Sequence, residues 1–424
     1  MSNTIEEPSR THDYGDNSFR HFPPASNSPS SIPKPEPFHI EALHTVPTAH
    51  SISTRGVSLS EGDKSSTTLR RSRTLLGLSP DAPLLEDDDY HERQKLWWSR
   101  VRIAMREPFA EFWGVVIMVL FGDGSVAQVL LSAGQTTAPG GAGFGPYQTI
   151  SWGWGLGVML GIYVAGDSGA YLNPAITFCS CLFRQLPWRR FPVYFIAQIL
   201  GAFVGSGIID IPSALNFICL TYNDFRYLRV PSRYAVYYPA IDWFEGAPGR
   251  RSVPPAEKAT ANIFSTYPQP FLNTGQQFVS EFVASAILLF VVFALKDPSN
   301  HGSGKNDKWF PLCMFFLIFG LGACFGWETG YAINLARDFG PRLMSYCVGY
   351  GTQVWSAGGY YFWVPMVAPF LGCAFGGFLY DLFIFTGASP INTPWIGFKL
   401  LLNPRHAVQL RHERRQRYAD ESIV

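Results

Sequence analysis

Six stretches of the chain, roughly 109–131, 149–166, 191–211, 276–295, 309–327 and 361–386, are each long and apolar enough to cross a lipid bilayer as a helix. Inside hydrocarbon no water satisfies backbone N–H and C=O groups, so each stretch must satisfy its own by coiling. The chain is therefore predicted to be an all-α membrane protein, with a six-span domain over 105–390. Its charged fraction of 15% agrees, against roughly 25% in ordinary soluble domains.

The flanks are different. Residues 1–95 are rich in Ser, Pro, Thr and charge, have no long apolar run, and are expected to be a disordered tail. Within them Arg70, Arg71 and Arg73 surround Ser72, and an acidic run covers Glu86 to Asp89. The basic run reads either as a solvated linker or as a kinase-recognition or lipid-surface patch. Residues 391–424 form a second polar tail. The first apolar span starts beyond residue 105, so no cleavable signal peptide is expected.

Arg93, Lys95, Arg100, Arg102 and Arg106 precede the first span. Arg184, Arg189 and Arg190 lie between the second and third, and Lys296, Lys305 and Lys308 between the fourth and fifth. All three groups fall on the tail side, which places both termini in the cytoplasm. The opposite-side segment 132–148 has no Lys or Arg. The long connection 212–275, expected to be extracellular, holds six basic residues, but long loops translocate with little regard to charge.

Two further apolar stretches, about 172–183 and 333–347, are too short to span. Their surroundings superpose: Ser168-Gly169-Ala170-Tyr171-Leu172-Asn173-Pro174-Ala175 on Thr329-Gly330-Tyr331-Ala332-Ile333-Asn334-Leu335-Ala336. The first helices of the two halves match too, Ala110-Glu111-Phe112 on Ser280-Glu281-Phe282. A three-span unit reverses direction on its second copy, so the halves are an inverted 3+3 repeat, and short helices at corresponding positions point to the transport site. Irregular backbone at that depth survives only beside a wet cavity.

Asn173 and Asn334 are good helix caps, and Pro174 has the φ of a helix start. Each Asn amide is expected to donate a hydrogen bond into the lumen, where the positive ends of the two half-helices oppose cations and protons. Enzymatic chemistry has no support: all nine His lie outside the spans, and the seven Cys have no metal or disulfide spacing. No metal or cofactor is expected, and a net charge of +1 suggests no nucleic-acid partner.

The boxes Ser168 to Ala175 and Asn334-Leu335-Ala336-Arg337-Asp338-Phe339-Gly340-Pro341 resemble the two signatures of the aquaporin and glycerol-facilitator family, over about 105–390. The resemblance implies the aquaporin fold, six transmembrane helices plus two re-entrant half-helices. It also implies a homotetramer in a plasma membrane, conducting water, glycerol and similar small neutral solutes. Asp338 and Arg342 occupy places typical of the glycerol-conducting branch. The family's constriction maps onto Trp154, Gly322, Tyr331 and Arg337, with Gly322 expected to leave the pore open where water-selective members place a His.

Trp154 and Tyr331 would then form an apolar wedge for CH groups, with Arg337 donating to hydroxyls. The plainer readings are a lipid-interface anchor for Trp154 and a helix-packing contact for Gly322. Glu111 and Glu281 resemble carboxylates that accept hydrogen bonds from the re-entrant loops; as the only candidate proton carriers they also leave room for a proton-coupled polyol transporter. A third alternative is a gated or closed regulatory homologue, capped by the 212–275 segment. Leu335 in place of the second Pro, Tyr171 in place of a frequent His, and Asp167 near the inner mouth depart from the family pattern.

Overall fold

The computed structural model describes residues 64–79, 96–133, 143–210, 236–302 and 309–393. Among these residues the chain is helical, without strands. In chain order the helices are α1 (Lys64–Leu75), α2 (Trp97–Ala104), α3 (Arg106–Ser132), α4 (Tyr147–Ala165), α5 (Pro174–Phe183) and α6 (Arg190–Asp210). They continue with α7 (Tyr238–Glu245), α8 (Thr274–Lys296), α9 (Phe310–Thr329), α10 (Leu335–Ser345), α11 (Gln353–Tyr360) and α12 (Val364–Phe383). Six helical stretches are long and apolar enough to span: α3, α4, α6, α8, α9 and the run Gln353–Phe383 that contains α12. Left-handed backbone at Gly358, Gly359 and Tyr360 breaks that last run, so its straight part is α12 alone.

The two short elements are half-helices of 10 and 11 residues, α5 and α10. The inverted repeat is visible in the packing. Helix α3 packs against α4 and α6, and its counterpart α8 packs against α9 and α12. Both crossings are closed by a Gly-x-x-x-Gly pair, which lets backbones approach where lipid offers no hydrophobic drive for helix association. A Cβ on Gly201 would sit 2.4 Å from the Phe112 carbonyl oxygen, and one on Gly372 would sit 2.3 Å from that of Phe282. One turn on, Gly205 faces the Val116 carbonyl and Gly376 the Ala286 carbonyl. The half-helices wedge into the gap left between the two units, each touching α6 and α12.

Part of the N-terminal tail departs from the expected disorder. Residues 64–79 form α1 and a short return that lies on the base of the first span. The Arg73 guanidinium is fully buried and donates to the Ile103 carbonyl at 2.5 Å, to Glu107 at 2.5 Å and to the Ser79 carbonyl at 2.7 Å. Arg190 at the start of α6 donates to the Gly77 carbonyl. Within the basic run Arg71 is exposed and Arg73 is sequestered. The acidic run, the rest of 1–95 and residues 394–424 lie outside the described residues, as do 211–235 of the long connection.

Overpacking a closed crossing forces backbones apart, at about 1–3 kcal/mol or more per site. Gly376→Val is expected to lower the unfolding temperature in detergent or to prevent recovery of monodisperse protein. Gly320→Ala, whose Cβ would meet nothing within 4 Å, is expected to leave it unchanged.

Candidate functional site

The half-helices meet through their caps. Asn173 Oδ1 accepts from the Ala175 N–H at 2.9 Å, and Asn334 Oδ1 accepts from the Ala336 N–H at 2.9 Å. Each amide then reaches across the midline, Asn173 Nδ2 donating to the Ile333 carbonyl at 2.9 Å and Asn334 Nδ2 to the Leu172 carbonyl at 2.8 Å. Each NH2 carries two hydrogens, and one of them holds the opposite half. Both Asn side chains line the lumen.

Ahead of each cap the backbone is strained. Ala170 and Leu172 have φ of 51° and 52°, and Tyr331 and Ile333 have 39° and 44°. Left-handed backbone at a residue with a Cβ costs about 1–3 kcal/mol and persists only where neighbours impose it. The two glutamates at equivalent places of the repeat impose it. Glu111, fully buried, accepts from the Ser168 hydroxyl, the Tyr171 and Leu172 N–H groups and Gln198 Nε2. Glu281, equally buried, accepts from the Thr329 hydroxyl, the Ala332 and Ile333 N–H groups and the Tyr361 hydroxyl. The strained turns aim the carbonyls of this backbone at the lumen side, where they meet the opposite Asn.

The lumen is lined by apolar side chains, Val158, Ile162, Leu288, Val292 and Ile318 among them, and by a cluster of Trp154, Tyr331 and Arg337. The Arg337 guanidinium lies over the Trp154 ring at 4.0 Å and donates to the Phe264 carbonyl at 3.0 Å. Trp154 is 4% exposed, whereas Trp152 and Trp188 are 46% and 43% exposed, which separates the lumen tryptophan from the lipid-facing ones. Its ring is seated on Gly122 of α3, where a Cβ would come within 2.4 Å of it.

Gly322 lies against the Tyr331 side chain. A Cβ there would meet the Tyr331 hydroxyl at 2.6 Å, and one on Gly326 would meet the Tyr147 hydroxyl at 1.9 Å. These two glycines, one turn apart on α9, form a slot filled by tyrosine rings. The missing side chain at 322 thus admits Tyr331 and is not simply empty pore.

This arrangement can be set beside known proteins. The model of the family "Major intrinsic protein" matches residues 98–380. The chain belongs to the major intrinsic protein family. It is 56% identical over 322 residues to Aquaglyceroporin-9 of Botryotinia fuckeliana, covering 76% of this chain and 63% of that protein. It is also 56% identical over 310 residues to Probable aquaglyceroporin-2 of Gibberella zeae, covering 73% and 82%. The X-ray structure of the aquaglyceroporin from Plasmodium falciparum matches with a TM-score of 0.52 and 28% identity, over 66% of this chain and 96% of that one. The all-α architecture with six spans is therefore that of the major intrinsic proteins.

Within this family frame, Asp338 and Arg342 stand one turn apart in α10, both fully buried, and join the half-helix to the long connection. Asp338 accepts from Arg342 Nε at 2.8 Å and from the Thr266 N–H and hydroxyl at 2.8 and 2.7 Å. Arg342 also donates to the Thr266 and Val354 carbonyls. The residues that marked the glycerol branch in sequence are thus a clasp, and neither reaches the lumen. The clasp steadies the segment that offers Phe264 to Arg337. Beneath Arg342, burial pushes the Tyr267 hydroxyl up to about 12. Phe264, Thr266, Gly122 and Gly326 went unread in the sequence, because their roles are backbone carbonyls and missing side chains, which no motif spells out.

Glu281→Gln replaces an acceptor oxygen with an amide that cannot accept, so at least one buried donor among Thr329, Ala332, Ile333 and Tyr361 is orphaned at about 1–3 kcal/mol each. A lower unfolding temperature in detergent is expected, together with loss of lumen function. Unchanged melting would show that the carboxylate does not hold the strained turn.

Proposed function

We propose that this chain is a passive channel for water and small neutral polyols, glycerol foremost, that refuses ions and protons. The observation that carries the reading is the Arg337 guanidinium laid over Trp154 beside Tyr331, at the end of an apolar lumen crossed midway by two Asn-capped half-helices. A polyol has CH on one face and OH on the other; aromatic rings suit the first and a planar array of N–H donors the second. A cation meets a fixed positive charge and then two positive helix ends. The names of the fungal relatives support the same solute class.

A proton-coupled transporter would need a carboxylate free to load and release a proton. Glu111 and Glu281 each accept four hydrogen bonds that hold the re-entrant turns, so cycling either would release them. The fixed Lys and Arg groups on the tail side favour cytoplasmic termini, with 212–275 outside the cell. Our reading adds residence in the plasma membrane and a homotetramer, both on family resemblance.

The test is osmotic swelling of proteoliposomes holding the full chain, with water, glycerol and a panel of larger polyols. Glycerol flux well above protein-free vesicles is expected; silence to both water and glycerol would end the channel reading. Arg337→Val is expected to raise proton or cation leak by about tenfold or more, since the charge acts across a poorly screened lumen, while neutral flux persists. Gly322→His drives the Tyr331 ring out of its slot toward the lumen, so glycerol flux should fall more than water flux. An unchanged glycerol-to-water ratio would remove Tyr331 and Gly322 from the filter.

A further inference from the structure

Asp123 lies on α3 inside the first span and is fully buried. Neither of its carboxyl oxygens has a hydrogen-bond partner among the described residues. Leaving a buried acceptor unmade is expensive, and an acid at membrane depth points to a function. Glu111 and Glu281, at the same kind of depth, are each satisfied by four hydrogen bonds from the re-entrant turns. Asp123 holds no turn.

The helix sets it behind the constriction. Gly122, the residue before it, is where the Trp154 ring is seated. One turn earlier Val119 packs in the cluster that contains Trp154 and Tyr331, and one turn later Ala127 packs in the cluster that contains Phe264. Helix α3 also packs against the turn Ala261–Ile263, immediately ahead of Phe264. Asp123 therefore stands between the two neighbourhoods that seat the Arg337 guanidinium, the Trp154 ring and the Phe264 carbonyl, without itself lining the lumen. Two charged groups act on it, Arg337 and Asp338. Asp338 is bound by Thr266 and Arg342, which leaves Arg337 as the group Asp123 can pair with.

We propose that Asp123 is a positioning residue of the constriction that sets its size limit: its carboxyl is the acceptor toward which the Arg337 guanidinium retracts from Trp154 when a solute wider than glycerol enters. This rests on the channel reading above. A carboxyl accepts from a guanidinium N–H whether or not it carries a proton, so the retreat works in either state. Without that acceptor the guanidinium stays on the Phe264 carbonyl and the constriction keeps its narrow form. The rings and the guanidinium then decide which chemistry passes, and Asp123 decides how large a polyol can be.

The experiment uses the full chain in proteoliposomes, with Asp123→Val and Asp123→Asn, each alone and combined with Arg337→Val. Water, glycerol, erythritol and xylitol fluxes are read by swelling. In Asp123→Val the erythritol-to-glycerol and xylitol-to-glycerol ratios are expected to fall about fivefold, the effect of losing one net hydrogen bond in the widened state. Asp123→Asn, which keeps an acceptor oxygen at the same reach, should retain the wild-type ratios to within about twofold. In the Arg337→Val background neither variant should change the ratios, because the residue acts through the guanidinium. Unchanged ratios in Asp123→Val, an equal loss in Asp123→Asn, or a loss that persists without Arg337 would each overturn the proposal. Apolar replacement of an unpartnered buried carboxyl should leave the unfolding temperature in detergent equal or higher, and a lower one with unchanged ratios would make Asp123 scaffold. Retained water flux shows that the pore has folded, and Asp123→Ala stands in if Asp123→Val does not reconstitute. If the wild-type chain passes glycerol while the variants at 123 are indifferent, this inference alone fails; if it passes none, the channel reading fails with it.

Discussion

Two buried carboxylates make the rest of the structure possible. A pore needs backbone that is not helical at the depth of the hydrocarbon, and such backbone must find hydrogen-bond partners inside the protein. Glu111 and Glu281 supply them from equivalent places in the two halves, each accepting two consecutive backbone N–H groups and a hydroxyl from the turn ahead of a half-helix. Those bonds hold four left-handed residues with side chains in place. With the turns fixed, the carbonyls of Leu172 and Ile333 are presented to the opposite Asn, and the two half-helices lock cap to cap. The lumen follows from that lock.

The same lock explains why Leu335 can stand where the other half has Pro174. At the first helical position a backbone N–H has no intrahelical partner, so Pro loses nothing there and gains only a preset φ. The caps are nearly superposable without it: Asn173 has φ and ψ of −148° and 120°, Asn334 of −150° and 114°. Each Asn makes the same 2.9 Å bond to the N–H two residues on. What shapes the helix start is the Asn and the glutamate behind it; the proline is a convenience.

The architecture was legible in the sequence because it is written in long periods: six apolar runs, two short ones, and matching boxes centred on Asn173 and Asn334. The lumen residues Trp154, Tyr331 and Arg337 were legible through family resemblance, and the structure brings them together. The sequence did not disclose what sets their positions. Trp154 depends on the absence of a side chain at Gly122, Tyr331 on the absence of one at Gly322, and Arg337 on the carbonyl of Phe264, some seventy residues earlier. An absence or a main-chain oxygen leaves no residue type to recognise. Arg73 was misread for a related reason: its burial depends on the Ile103 carbonyl and Glu107, about thirty residues away, which a local reading of a basic run cannot anticipate.

The long connection deserves a different role from the lid that its length suggested. Its described part is tied into the half-helix by the Asp338, Thr266 and Arg342 clasp, and Glu245 of α7 braces it internally through the Ser252 N–H and hydroxyl and the Thr260 hydroxyl. Arg251, itself buried, joins it to Asp210 at the end of the third span at 3.0 Å. The segment is thus held by the Arg251–Asp210 ion pair and by the hydrogen bonds of Thr266 with Asp338 and Arg342, and it carries the carbonyl that holds Arg337. A lid moves independently of the site it covers, whereas any displacement of Phe264 here would take a hydrogen bond from the guanidinium. Changes in the loop therefore reach the Arg337 guanidinium directly, through the Phe264 carbonyl.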